Sequence, residues 1–166
     1  GPGGTGGGTG VCLFNGSLVL SGDNHPKQVH DMNIREEISA LDIQSNKIMS
    51  TQITKIIKNH IRDHIFCINE NLFITNDHPV LVFRNNSLVW CRVEDLTRGD
   101  QVKSLTGFTK VKSITKLNKE IITVYIETEA GNYAVKAGDE HFIVKGNYLS
   151  TELDETDKLE CTIPCA

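Results

Sequence analysis

The feature that most constrains this chain is a repeat of itself. Residues 17–39 (SLVL…QVHDMNIREEIS) resemble residues 79–103 (PVLV…RVEDLTRGDQVK). Val29, Asp31, Met32, Glu36 and Ile38 each sit 64 positions before Val93, Asp95, Leu96, Asp100 and Val102. A β-branched stretch follows each copy, ITKIIK and then VKSITK. A duplicated unit of this size predicts two similar subdomains that bury their apolar faces against each other. It also brings the late part of the chain back to the early part.

The local signals are those of strands. Residues 11–20 run apolar in short stretches, and 21–27 form a turn rich in Gly, Asp, Asn and Pro. A turn and then a strand from Glu37 are expected over 29–42, with a helix as the alternative. Residues 50–59 alternate and are β-branched, and 60–68 are expected to continue as strand. Asn69-Glu70-Asn71 reads as a tight turn. Residues 80–84 and 87–93 flank Asn85-Asn86, a two-residue hairpin signal. After a turn at 94–100, strands are expected near 102–104, 109–116, 121–129, 133–135 and 142–144. Turn residues every 8–12 positions point to an all-β domain. A length of 166 residues fits one domain with a real core.

Composition narrows the partners. The first ten residues hold seven of the fourteen glycines, so residues 1–11 are expected to be a flexible lead. The net charge is −4 with scattered basic residues, which argues against nucleic acid. No apolar run approaches the ~20 residues of a membrane span. No cofactor and no metal are expected: His25, His30, His60 and His64 read as solvated, without ligand spacing. Cys67 and Cys91 lie in strand-like runs as apolar filler. Cys161 and Cys165 belong to an acidic tail, 148–166. An odd cysteine count without a preceding secretory signal favours a reducing compartment. The compartment itself is otherwise unknown, and a monomer is expected.

Four blocks carry a specific likeness: Cys12 opening CLFNGSLVL, then LFITNDHPVLV, then EDLTRGD, then TVYIETEAGNY. In this order and spacing the chain resembles the Hint superfamily of inteins, hedgehog autoprocessing domains and bacterial intein-like domains. The resemblance covers about residues 12–147. It implies a compact, horseshoe-like fold of two pseudo-symmetric β-subdomains. It also implies that the substrate is the chain's own flanking polypeptide, cut once at the Val11–Cys12 bond.

The chemistry can be stated on these residues. The Cys12 thiolate attacks the Val11 carbonyl through a five-membered ring, where effective molarity reaches on the order of 10⁵ M. The departing amide nitrogen needs a proton, and an imidazole with a reference pKa of ~6.5 is suited to supply it. The resemblance places that histidine at His78, with Thr75 bonding the same amide and Asp77 orienting the ring. Splicing inteins end in His-Asn followed by Cys, Ser or Thr. Here Asn147 follows Gly146 and precedes Tyr148, so the resemblance departs from splicing. Cleavage by water, or transfer to an external thiol or amine, is the expected outcome. Asp139 and His141 are candidates to activate that nucleophile. A degenerate fold kept as a structural or binding module, and a true splicing intein, stand as the alternatives.

Overall fold

Asparagine does much of the turning in this chain. Asn85 and Asn86 adopt φ of 50° and 64°, and Asn69 and Glu70 adopt 53° and 66°. Paired left-handed residues match the natural twist of antiparallel strands, so they close tight hairpins. The computed structural model describes residues 11–147 and the backbone of 163–164. Residues 1–10 of the expected lead, and Cys161 and Cys165, lie outside the described residues; its last residue, Val11, is instead buried against Cys12 and Tyr125.

In chain order the strands are β1 (Leu13–Phe14), β2 (Leu18–Leu20), β3 (Pro26–Gln28), β4 (Glu37–Asp42), β5 (Lys47–Arg62), β6 (Ile65–Ile68), β7 (Leu72–Ile74) and β8 (Pro79–Arg84). They continue as β9 (Ser87–Arg92), β10 (Gln101–Lys103), β11 (Phe108–Lys110), β12 (Ile114–Leu117), β13 (Ile121–Thr128), β14 (Asn132–Ala137), β15 (Glu140–Lys145) and β16 (Ile163–Pro164). The strand expected to run through 60–68 is interrupted: β5 ends at Arg62, and β6 starts afresh at Ile65.

Two sheets result. One runs β12-β6-β7-β1-β13-β5-β4; the other runs β11-β10-β8-β15-β14-β2-β3, with β9 beside β8 and β16 beside β9. The main core draws on both, including Leu13, Ile74 and Val124 from the first and Val80, Tyr133 and Val144 from the second. Side chains also join the sheets, Asn132 among them. The buried Asn132 amide accepts from Leu41 N–H and donates to Leu41 C=O, both at 2.9 Å, as a peptide group would. No helix among the described residues is long and apolar enough to cross a membrane.

The repeat is visible bond by bond. A 3-10 turn occurs at Val29–Asp31 and again at Val93–Asp95. Arg35 N–H donates to Ile53 O and Gly99 N–H to Val111 O, each at 2.8 Å, and both donors have positive φ. Glu36 accepts from Asn33 N–H and Asp100 from Thr97 N–H, again each at 2.8 Å. Lys27 pairs with Glu36 at 2.9 Å, as Arg84 pairs with Asp100 at 2.6 Å.

Earlier in the repeat the alignment differs from the one read off the sequence. Ser17 N–H donates to Phe14 O, and His78 N–H to Thr75 O. Val29 N–H then donates to Ser17 O, and Val93 N–H to His78 O. Ser17 therefore matches His78, not Pro79. The hairpin turn around Asn85-Asn86 and its longer strands absorb the difference.

These matched carboxylates generate a stability test. Burial alone would raise the Asp100 pKa, but Arg84 and the Thr97 amide outweigh it and hold the group below the usual carboxylate range. Lys27 lowers that of Glu36. Asp100→Ala is expected to lose about 2–3 kcal/mol, since charged hydrogen bonds are each worth ~1.5–3 kcal/mol. Glu36→Ala, more exposed, loses about half as much. Both folded pKa values are depressed, so this stability is present above about pH 4 and fades as pH falls through the folded values. Urea unfolding of the two variants at pH 7 and pH 3 checks the order and the sign.

Candidate active site

β1 is only two residues long, yet it lies in mid-sheet. Leu13 pairs with Ile74 of β7 on one side and with Val124 of β13 on the other. Cys12, immediately before it, is thereby carried inside: it is 0% exposed, and Val11 is 1% exposed. Thr75, immediately after β7, lies opposite. Its N–H donates to Cys12 C=O at 3.0 Å. The Cys12 N–H donates in turn to the Thr75 hydroxyl at 2.9 Å. The Thr75 carbonyl accepts instead from His78 N–H, at the close of the turn 75–78.

His78 starts where the second sheet begins and is 1% exposed. Its Nε2 lies 2.9 Å from the Lys145 carbonyl. A carbonyl only accepts, so Nε2 carries the proton and Nδ1 keeps its lone pair. Nδ1 is buried without a hydrogen-bond partner. Burial pushes the His78 pKa down; the Lys145 carbonyl, the Asp77 charge and the nearby Cys12 backbone oppose this without overcoming it. The ring is neutral at pH 7. The Cys12 thiol is pushed up to about 11, chiefly by burial. The Thr123 hydroxyl and the Arg62 guanidinium pull it down, and the Asp77 charge adds to the rise. At rest, then, the site holds a neutral thiol, a neutral imidazole with a free lone pair, and an amide pinned through its N–H.

The turn bearing Thr75 and His78 is fastened at its middle. Asn76 Oδ1 accepts from Arg62 Nη2 at 3.3 Å and lies 3.2 Å from His64 Nε2, while Asn76 Nδ2 donates to Glu94 at 2.9 Å. Arg62 also lies 3.9 Å from Asp77, whose Oδ1 is buried without a hydrogen bond. His60 and His64 are half-buried rather than solvated: His60 lies in β5 opposite Thr123, and His64, between β5 and β6, reaches Asn76 of this loop.

The structure thus brings Val11, Cys12, Thr75, Asp77 and His78 together. It does not bring Asp139 or His141 to them. Both lie at the far tip of the β14–β15 hairpin, where Asp139 is exposed and His141 pairs with Lys136. His141 and Lys145 are four steps apart along β15, roughly 13 Å of strand. Asn147 is exposed, two residues past Lys145. Gly146 before it is buried, and a Cβ there would lie 2.8 Å from the Tyr133 ring. Sequence reasoning missed Arg62, Thr123 and the Lys145 carbonyl. A backbone acceptor leaves no trace in residue identity; Arg62 lies in a strand with no motif around it, and Thr123, although it opens the fourth block, was not singled out within it. Among the described residues no group of three or more His, Cys, Asp or Glu is placed to hold a metal ion.

Neither a family model nor a curated protein sequence matches the chain. Solved structures do. The TvoVMA intein superposes with a TM-score of 0.70 at 12% identity, covering 80% of this chain and 97% of that one. A bacterial intein-like domain from Clostridium thermocellum gives 0.68 at 13% identity, covering 81% and 98%. An intein from a hyperthermophile gives 0.69 at 16% identity, covering 82% and 99%.

The thiol environment has a direct test. A pKa of about 11 leaves on the order of 10²-fold less thiolate at pH 8 than an exposed cysteine has. Iodoacetamide at pH 8 is therefore expected to modify Cys12 at least 10²-fold more slowly in the folded protein than in urea, read by peptide mass. Thr123→Val, which removes a hydroxyl that favours the thiolate, slows it further.

Proposed function

Because the chain has the Hint fold, we propose that it is an autoprocessing domain that converts its own Val11–Cys12 amide into a thioester and then releases residues 1–11. The observation that carries this reading is the Cys12 N–H bond to the Thr75 hydroxyl, with the free Nδ1 of a buried His78 beside the same backbone.

The steps follow from the protonation states. His78 Nδ1 takes the Cys12 thiol proton as Sγ bonds to the Val11 carbonyl carbon. The Val11 C–Cys12 N bond then breaks, and the same proton passes to the departing nitrogen. Nδ1 is thus base first and acid second, which a neutral ring with an open lone pair can do. Thr75 fixes the amide plane so that the carbonyl carbon faces the thiol. Arg62 favours the transient thiolate, and Asp77 favours the transient imidazolium. An external thiol, amine or water molecule attacks the thioester carbon, and the Cys12 sulfur leaves.

Cleavage rather than splicing is favoured by the second junction. Splicing inteins carry a histidine before the terminal asparagine. Position 146 has no room for a side chain against Tyr133, and Tyr148 follows Asn147.

Intact mass after incubation with dithiothreitol or hydroxylamine is the test. Loss of residues 1–11 is expected, abolished in Cys12→Ala and slowed about 10²–10⁴-fold in His78→Ala. An unchanged mass under every condition supports the degenerate-module reading instead, and ligated flanks support splicing. The pH dependence has a sign. The His78 pKa is lowered, so the reactive neutral ring persists below pH 6.5 and activity is lost only on further acidification. Release rates across pH 5–8 check this; a midpoint above 6.5 contradicts the desolvated site.

A further inference from the structure

We propose that the side chain at position 11 is read by a closed apolar pocket, so that the reaction selects an aliphatic, β-branched residue ahead of the nucleophile. This rests on the thioester reading above and adds the substrate class of that site.

Val11 is the first described residue, next to a run of glycines, yet it is 1% exposed. It is held in a small cluster with Cys12 and Tyr125, against which Ile57 packs. This cluster is separate from the main core. Val124 and Ile126, the neighbours of Tyr125, belong to the core, as does Leu13 beside Cys12. Successive strand residues face opposite sides, so Tyr125 and Cys12 share the other face of the sheet. The pocket is rigid. Tyr125 and Ile57 are direct cross-strand partners on β13 and β5. The Tyr125 hydroxyl is tied to the Glu127 carboxylate, which fixes the ring.

None of these contacts moves a proton. They hold the acyl group. When the Val11 C–Cys12 N bond breaks and the Val11 C–Sγ bond forms, the acyl group is joined to the domain covalently only through sulfur, and the Val11 side chain in its pocket is a second point of attachment. An apolar side chain in this pocket keeps the carbon in line with Sγ and His78. A residue with no side chain, or a charged one, lets it drift.

Thioester chemistry alone predicts the opposite preference, because β-branching hinders attack at the adjacent carbonyl. That contrast makes the test decisive. The full chain is prepared with Val, Ile, Ala, Gly or Asp at position 11, and hydroxylamine-induced release is timed by intact mass, with melting curves confirming the fold. Val and Ile are expected to react fastest, Ala about tenfold more slowly, and Gly and Asp about 10²-fold more slowly, the range that pocket contacts of this size supply. In Ile57→Ala, or in Ile57→Val should the first not fold, the enlarged pocket is expected to favour Val11→Leu over Val. A Gly-first order, or a preference unmoved by the change at Ile57, overturns the pocket. A parent chain that releases nothing overturns the thioester reading itself, and the pocket with it.

Discussion

The hydrogen bond from the Cys12 amide to the Thr75 hydroxyl is the contact on which everything else turns, and one short turn supplies it. The turn 75–78 closes by taking the Thr75 carbonyl for His78 N–H. A buried amide must find an acceptor, and that of Cys12 finds the threonine side chain. One short turn therefore places the imidazole and supplies the Cys12 amide with a hydroxyl acceptor. Burial does the rest. It raises the thiol and lowers the imidazole for the same reason, the exclusion of charge from a dry interior. The resting site holds no ion pair between them, and Nδ1 stays free to move a proton in either direction.

The duplication shows how little of the scaffold is specific to chemistry. The turn 14–17 has the same backbone bonds as 75–78, with Phe14, Asn15, Gly16 and Ser17 where the second copy has Thr75, Asn76, Asp77 and His78. Both copies support their half of the fold. Only the second faces the start of β1, and only there do threonine and histidine occupy the first and last positions of the turn.

Much of this was legible in the chain itself. Asn85-Asn86 turns where two left-handed asparagines must, and the repeated acidic caps at Glu36 and Asp100 stand at their expected 64-residue spacing. Cys12, Thr75 and His78 meet because motif order encodes topology. Asp139 and His141 misled because proximity in sequence to β15 says nothing about which end of the strand meets the site. The Lys145 carbonyl was invisible because every residue has one. The slip of the repeat near Ser17 was hidden because SLVL and PVLV match by eye while their hydrogen bonds do not.

Asn132 has a consequence for how accurately such a site can be kept. Cys12 leads into one sheet, while His78 and Lys145 belong to the other, so any shear between the sheets would change the spacing of the thiol and the imidazole. The Asn132 side chain is inserted into β4 as a surrogate peptide unit, with donor and acceptor both engaged at 2.9 Å. It acts as a dowel between two plates: sliding in either direction stretches one of its two bonds. The relative placement of Cys12 and His78 thus depends in part on a clasp between β14 and β4 that involves neither of them.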